Sequence, residues 1–379
     1  MRKGDAGFSR YRSMTYFATC FVVALIATLF IMRSTMRHGH LSADHDLTGP
    51  QKFHSRPVPR VGGLGVMAGI VAGVVLAEIA GSPAARLLWM LLACSLPAFV
   101  AGITEDLTKN VSPRRRLIAT AISAGLAIWL LDALIAKTDI PGVDQLIRWA
   151  PLSMLLTVFV ITGVANAVNI IDGFNGLASM CVLMMILALS YVAFQVGDTF
   201  VFTASLITAG AVMGFFVWNF PAGLIFLGDG GAYLLGFLLG ELSILLVHRN
   251  SSVSPMFPLL LCAYPIFETI FTMYRRKVIR GVATAAPDGI HLHTLIHRRL
   301  IRWTLAEGRE QRRLTRRNSM TSPYLWLLCL LSVIPSLLWW NSTAVLSWFL
   351  LLFVVSYVWL YTRIVRFKTP RWLIFRRNK

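Results

Sequence analysis

NAVNIIDGFNGL, residues 166–177, places Asn166, Asn169, Asp172 and Asn175 three residues apart where a long apolar run ends. Residues at this spacing turn by about 60° per step on an α-helix, so the four share a face only if the helix end tightens. Polar groups beside lipid are costly and usually serve a function. The alternative is that these residues only form the turn that closes the helix.

The rest of the chain is unusually apolar, with 56% hydrophobic and 14% charged residues over 379 positions. This composition excludes an ordinary soluble globule and predicts an all-α, polytopic transmembrane helical bundle of about eleven spans. We interpret residues 1–379 as a single integral membrane domain. The predicted spans lie near 14–32, 63–80, 87–104, 117–136, 150–166, 177–195, 200–218, 231–248, 256–274, 324–341 and 344–362.

The five cysteines all fall inside apolar runs and form no C-x-x-C pair, so we expect small core residues. Basic residues precede the first run as in a signal peptide. That run is long for such a segment, and no A-x-A-like site follows it, so we interpret it as a span.

Basic residues are distributed unevenly between the two sets of connections. Loops that follow odd-numbered spans, with the tail, hold 28 of the 36 Lys and Arg residues. The excess of positive charge predicts that these loops are cytoplasmic, although the basic amino-terminal segment argues against it. They include a basic loop, 275–322, and a tail, 363–379.

The net charge of +19 has two possible explanations. Attraction to anionic membrane lipids is the simpler one for a membrane protein. Nucleic-acid binding is the alternative, and no recognisable nucleic-acid module supports it. We therefore expect lipid contacts and no nucleic-acid partner.

Five polar stretches follow odd-numbered spans and so are expected on one membrane face. Their common placement predicts a shared site with cytoplasmic active-site loops. The stretches are 52–63, 105–116, 166–177, 226–232 and 287–299.

Two of these stretches carry carboxylates suited to a cation. Glu105 and Asp106 are adjacent and can bind a divalent ion or take a proton; the alternative is a solvated helix end. Asp229 lies between glycines in FLGDGGA, which is not a Walker A loop. Oxygen ligands of this kind suit Mg²⁺, which usually keeps phosphate or water as further ligands.

Glycines and histidines in the other stretches have competing interpretations. The glycines of GGLG and the following helix, spaced by four, are typical of a packing face. HLHTLIH, residues 291–297, suggests zinc, but its neighbouring arginines favour phosphate instead. We expect 302–317 to form a surface helix against lipid headgroups.

Carboxylates, cations and a floor of membrane helices suit phosphoryl transfer between a soluble nucleotide-bound donor and a lipid phosphate. A secondary transporter or lipid-carrier flippase is the main alternative, with Glu241 and Glu268 as its ionisable groups. A catalytically inactive scaffold is a third hypothesis.

The motifs together resemble one family. N-x-x-N-x-x-D-G-x-x-G-L, a carboxylate pair after the third span, G-D-x-G after the seventh and a late H-x-H loop resemble the polyprenyl-phosphate N-acetylhexosamine-1-phosphate transferases (glycosyltransferase family 4), over roughly residues 50–300. The resemblance implies transfer of a sugar 1-phosphate from a UDP-sugar to undecaprenyl phosphate, which releases UMP and uses Mg²⁺. Mn²⁺ is the alternative ion.

The same resemblance implies a metal and nucleotide site. Asp229 and Asn169 would bind the metal on the donor pyrophosphate. Asp229 would also be a catalytic residue. Asp172 and Asn175 would lie near the uridine and its ribose, and Asn166 would also contact the substrate.

Other residues are implied for the lipid phosphate. Glu105 and Asp106 match the catalytic pair that prepares this phosphate for attack, with Glu105 standing where the family usually has Asp. Thr294 and a displaced His297 depart from the family's histidine motif. The residues expected to hold phosphates are Arg114, Arg115, His291 and His293.

The H-x-H form looks more like the branch that initiates O-antigen or other surface polysaccharides than the muramyl-pentapeptide branch. The implied location is the bacterial plasma (inner) membrane with the active site facing the cytoplasm. A homodimer is left open.

Overall fold

The computed structural model describes most of the chain. The described residues are 3–37, 58–279, 281, 290–301 and 310–366, and for 3–13, 36–37, 279 and 310–313 only the backbone is described. Parts of the predicted site loops (52–57 and 287–289), of the surface helix (302–309) and of the tail (367–379) lie outside them.

The described part of the chain is helical, as predicted. Two short π-helical segments, Arg275–Ile279 and His297–Ile301, follow the eleventh and twelfth α-helices. The α-helices are α1 (Lys3–Arg37), α2 (Gly62–Ile79), α3 (Ala85–Thr108), α4 (Pro113–Leu131), α5 (Val143–Leu146), α6 (Ala150–Ile171), α7 (Leu177–Val196), α8 (Thr199–Asn219), α9 (Gly228–Arg249), α10 (Met256–Leu261), α11 (Ala263–Tyr274), α12 (Leu292–Ile296), α13 (Glu310–Leu338) and α14 (Thr343–Val365).

Nine helices of the described residues are long and apolar enough to cross a membrane, so the chain is a multi-pass membrane protein. They match nine of the eleven predicted spans. The span predicted at 117–136 corresponds to α4, whose first turn carries three arginines. The span predicted at 256–274 is divided at Cys262 into α10 and α11, with prolines at positions 258 and 265 close to the break.

Helix α9 lies at the centre of the bundle and packs against α2, α3, α4, α6, α7 and α8. Its residues from Gly228 to Leu246 are all buried. A helix that is apolar on every side needs neighbours on every side. The sequence of α9 therefore determines the position of the surrounding helices.

Small residues let α1, α2 and α8 approach closely. A side chain at Gly65 would meet Thr28 of α1, and one at Gly69 would lie 2.9 Å from Ala24 and from Ala211. This confirms the predicted packing face. The predicted burial of the cysteines is also confirmed, because all five are free and buried.

The polar stretches meet at one end of the bundle. Phe226 N–H donates to the carbonyl of Pro59 (2.8 Å), and the carbonyls of Phe226 and Leu227 accept from Gly62 and Gly63 (both 2.9 Å). The segment before α2 is thereby joined to the segment before α9. Side-chain contacts described below bring the other three stretches to the same place, while the cytoplasmic orientation stays a prediction.

The close backbone contact between α3 and α9 predicts that added side-chain volume there lowers stability. A Cβ at Gly102 would lie 2.6 Å from the Cα of Gly230, whereas one at Gly163 of α6 meets nothing within 4 Å. Gly102→Ala should therefore destabilise the protein by about 1–3 kcal/mol through overpacking, despite a gain in helix propensity. Apparent Tm in detergent measures this.

Gly163→Ala is the matched control and should leave apparent Tm unchanged or slightly higher. Equal shifts in the two variants would contradict the close backbone contact.

Candidate functional site

A carboxylate from α3 caps the amino terminus of α9. Asp106 accepts hydrogen bonds from the backbone N–H groups of Asp229 and Gly230, each at 2.9 Å. The residue at the helix boundary, Leu227, provides no side-chain cap of its own. A helix start inside a membrane protein needs such partners because its first N–H groups have none within the helix.

Helical phase explains why Asp106 rather than Glu105 reaches this position. Asp106 follows Gly102 by one turn on the buried face of α3 and is only 2% exposed. Glu105 points about 100° away and accepts from Val111 N–H at 2.7 Å, which closes the loop before α4. The two carboxylates predicted as a catalytic pair are therefore separated by their orientation.

Gly228 lets the chain enter α9 beside this cap. Its φ is +74°, in the left-handed region. A Cβ there would also collide with the carbonyl of Arg60 and with Oδ2 of Asp106. Glycine is thus required both by the backbone angle and by the close approach of three segments.

Two arginines face the carboxylate of Asp229. Arg116 forms an ion pair with it, and Arg60 Nη2 lies 3.6 Å from Oδ1. The predicted phosphate ligands Arg114 and Arg115 are both exposed on the first turn of α4. Arg116 is instead the arginine that the fold brings to the site.

The end of α6 contributes amides to the same place. The hydroxyl of Tyr233 on α9 hydrogen-bonds Asn169 and lies 3.5 Å from Oδ1 of Asn166. The ring of Tyr233 has the Arg116 guanidinium 5.7 Å from its centroid. The predicted tightening of the helix end is confirmed, because Asp172 N–H bonds to the carbonyl three residues back, that of Asn169 (3.3 Å).

Asp172 is partly buried and close to these groups. Desolvation raises its pKa to about 7, opposed by the positive charge of Arg60 and a hydrogen bond from Gly228 N–H. Asp172 also interacts electrostatically with Asp106. We call Asp106, Asp172 and Asp229, with Arg60 and Arg116, the carboxylate cluster.

Asn175 does not face this cluster. Its backbone N–H donates to Asn318 Oδ1 (2.9 Å), its Nδ2 donates to Ser319 Oγ (3.1 Å), and its carbonyl accepts from Ser322 Oγ (2.6 Å). The side chain is 1% exposed. These contacts fasten the loop after α6 to α13, and the uridine contact implied by the resemblance stays a prediction.

The histidines form a second group next to the loop after α6. The rings of His291 and His293 stack with centroids 5.0 Å apart, and Nδ1 of His291 lies 3.2 Å from Glu268 Oε1. His297 lies against Phe174, with ring centroids 5.2 Å apart. We call His291, His293 and His297 the histidine cluster.

His293 lies at the boundary between the two clusters. A Cβ at Gly173 would be 3.4 Å from its Nε2, and Gly173 follows Asp172 directly. Burial lowers the pKa of His293 to about 3, assisted by His291 and opposed by Glu268. Its ring is therefore neutral near pH 7 and can offer a hydrogen bond to a phosphate but no charge.

Three site residues lay outside the set predicted from sequence: Arg60, Arg116 and Tyr233. Arg116 was detectable, because it precedes the buried residues Thr120 and Ala127 by one and three turns of α4. Tyr233 follows Asp229 by one turn of α9. Arg60 lies in the predicted stretch 52–63, but its position beside Asp229 depends on backbone pairing between distant segments, which no local pattern reveals.

Comparisons with known proteins match this region. A family model described as glycosyl transferase family 4 matches residues 88–247, which span α3 to α9. A probable undecaprenyl-phosphate N-acetylglucosaminyl 1-phosphate transferase of Bacillus subtilis is 29% identical over 287 residues, covering 74% of this chain and 77% of that protein.

Two further relatives are similar over different lengths. An undecaprenyl-phosphate alpha-N-acetylglucosaminyl 1-phosphate transferase of Thermotoga maritima is 27% identical, covering 68% of this chain and 74% of that protein. A phospho-N-acetylmuramoyl-pentapeptide-transferase of Streptococcus thermophilus is 33% identical, but the match covers only 38% and 42% of the two chains.

The raised pKa of Asp172 predicts a pH dependence of stability. The folded state favours the protonated carboxyl, so its contribution is complete below the ordinary pKa and is lost as pH rises through about 7. Apparent Tm should fall between about pH 4 and 7, and Asp172→Asn should make that fall smaller. Identical pH profiles for the parent and the variant would show that Asp172 is not the group responsible.

Proposed function

We propose that the chain is a polyprenyl-phosphate N-acetylhexosamine-1-phosphate transferase of glycosyl transferase family 4, which transfers a sugar 1-phosphate from a UDP-sugar to undecaprenyl phosphate. The relatives from B. subtilis and T. maritima carry this kind of activity in their names. The observation that supports the proposal best is the carboxylate cluster, which lies at one end of a membrane bundle. A soluble nucleotide and a lipid headgroup can meet there.

The proposed reaction is a direct displacement. An oxygen of undecaprenyl phosphate attacks the β-phosphorus of the UDP-sugar and forms the new P–O bond. The bond from that phosphorus to the bridging oxygen breaks, and UMP leaves with the electron pair. Positioning and neutralisation of charge supply most of the catalysis in such reactions.

Mg²⁺ is the proposed cofactor, and the chemistry of the residues present fits it. The carboxylate of Asp229 and the amide of Asn169 are hard oxygen ligands on neighbouring helices, both close to Tyr233. Mg²⁺ commonly uses one or two protein ligands of this kind together with substrate phosphates. When bound, the ion would withdraw negative charge from the pyrophosphate.

The protein's own residues would orient the substrates. Arg116 and Arg60 can donate to phosphate oxygens beside Asp229. Asp106 would act mainly by holding the start of α9, since backbone N–H groups occupy both of its oxygens. The neutral ring of His293 would donate or accept one hydrogen bond at the boundary of the two clusters.

We further propose that the product initiates O-antigen or another surface polysaccharide, at the cytoplasmic face of a bacterial inner membrane. The H-x-H form and the excess of basic residues in one set of loops support this. A transporter is the alternative. Its two candidate acids differ: Glu241 is fully buried without a hydrogen-bond partner, whereas Glu268 is bonded to His291 and Tyr357.

Purified protein should release UMP from UDP-N-acetylglucosamine only when undecaprenyl phosphate and Mg²⁺ are both present. Asp229→Asn should abolish release, with a loss of at least about 100-fold, because the metal ligand and the partner of Arg116 are lost together. Asp132→Asn, on a side chain 82% exposed at the opposite end of the bundle, should retain activity. A fully active Asp229→Asn enzyme, or a parent that transports the lipid without UMP release, would rule out the proposal.

Neighbouring arginines provide a second test. Arg116→Lys should lower kcat/KM by about tenfold or more, because an ammonium group cannot reproduce both the guanidinium's ion pair with Asp229 and its position over the Tyr233 ring. Arg114→Lys, on an exposed side chain, should change it far less. A larger loss of kcat/KM in Arg114→Lys than in Arg116→Lys would mean that Arg114 holds the phosphates, as the resemblance implied.

A further inference from the structure

Glu268 is a fully buried carboxylate on α11, beyond the residues 88–247 that match the family model. Its Oε1 accepts from Leu292 N–H (3.0 Å) and lies 3.2 Å from Nδ1 of His291. Its Oε2 accepts from the hydroxyl of Tyr357 at 2.6 Å. Both oxygens therefore have partners, and each connects α11 to another part of the chain.

Tyr357 comes from α14, the last helix described. It is fully buried, and its ring stands edge-on to Phe267 (4.9 Å between centroids) and to Phe271 (5.6 Å). These rings fix the direction of the hydroxyl. Helix α14 thus reaches the histidine cluster through Glu268, which accepts from Tyr357 and lies beside His291.

The carboxylate determines how His291 is presented. A carboxylate accepts only, so Nδ1 of His291 must carry the proton that lies between them. A histidine with one nitrogen held in this way has a fixed ring plane and leaves Nε2 for another partner. Thr272 Oγ1, 3.2 Å from Nδ1, assists on the same side of the ring.

We propose that Glu268 and Tyr357 are positioning residues that orient His291 for sugar-phosphate transfer, and this rests on the proposed function. Tyr357 acts through Glu268, because its hydroxyl fixes the carboxylate that in turn fixes the imidazole. The last membrane helix is thereby part of the catalytic apparatus although it contributes no group to the substrate.

Kinetics of single and double variants test the coupling. Tyr357→Phe should lower kcat by about tenfold without a matching change in apparent Tm. In a Glu268→Gln background, the same substitution should cost less than about twofold, because the connection is already broken. A merely structural role of Tyr357 would give equal losses in both backgrounds and would overturn the proposal.

Tyr264→Phe is the matched control. Tyr264 is also fully buried on α11, but its hydroxyl has no hydrogen-bond partner. Its removal should leave kcat within about twofold of the parent. A tenfold loss in this variant as well would mean that loss of any buried hydroxyl nearby affects activity, which contradicts a specific path through Glu268.

Nitrogen-15 NMR of histidine-labelled protein in detergent gives a readout independent of turnover, with His291 assigned by His291→Gln. The parent should show a proton on Nδ1, Glu268→Gln should lose that preference, and Tyr357→Phe should shift the His291 signals more than Tyr264→Phe does. Unchanged His291 signals in Glu268→Gln and Tyr357→Phe would overturn the proposal. Absence of UMP release in the parent would instead refute the proposed function. The NMR result would still show whether Glu268 and Tyr357 orient His291.

Discussion

The hydrogen bonds from the start of α9 to Asp106 are the contact on which the site depends. They satisfy two N–H groups that have no partner within the helix, and they do so with a side chain from another helix. Loss of this cap would leave two buried N–H donors without their partner, which costs free energy. The cap also fixes the position of Asp229. Its backbone N–H donates to Asp106, and its side chain is the carboxylate at the centre of the cluster.

Backbone proximity makes this contact possible. Gly102 and Gly230 let α3 and α9 touch, and Gly228 lets the segment of Arg60 pass beside them. Three carboxylates in one place would repel each other without nearby cations, and Arg60 and Arg116 provide these. The same arginines also suit a site that binds phosphates, because a guanidinium can pair with a carboxylate when the site is empty and with a phosphate when a substrate is bound.

Much of the fold followed from apolar runs, because a bilayer restricts spanning segments to helices of known length. Asp106, Asp172 and Asp229 were also predictable, since each lies in an unusual polar stretch. The choice between Arg114 and Arg116 required the phase of α4, and the buried positions 120 and 127 contain that information. The orientation of Asn175 was not predictable, because its partners on α13 lie more than 140 residues away.

The arrangement requires that polar stretches far apart in the chain face one side of the membrane. Labelling of single introduced cysteines with a membrane-impermeant maleimide measures this directly, because the five native cysteines are buried. Ala222→Cys and Arg114→Cys lie at the end that carries the site, and Asp132→Cys and Asp144→Cys at the other. The first two should react only from the cytoplasmic side and the last two only from outside. Labelling of positions 222 and 114 from opposite sides would contradict a single site formed at one membrane face.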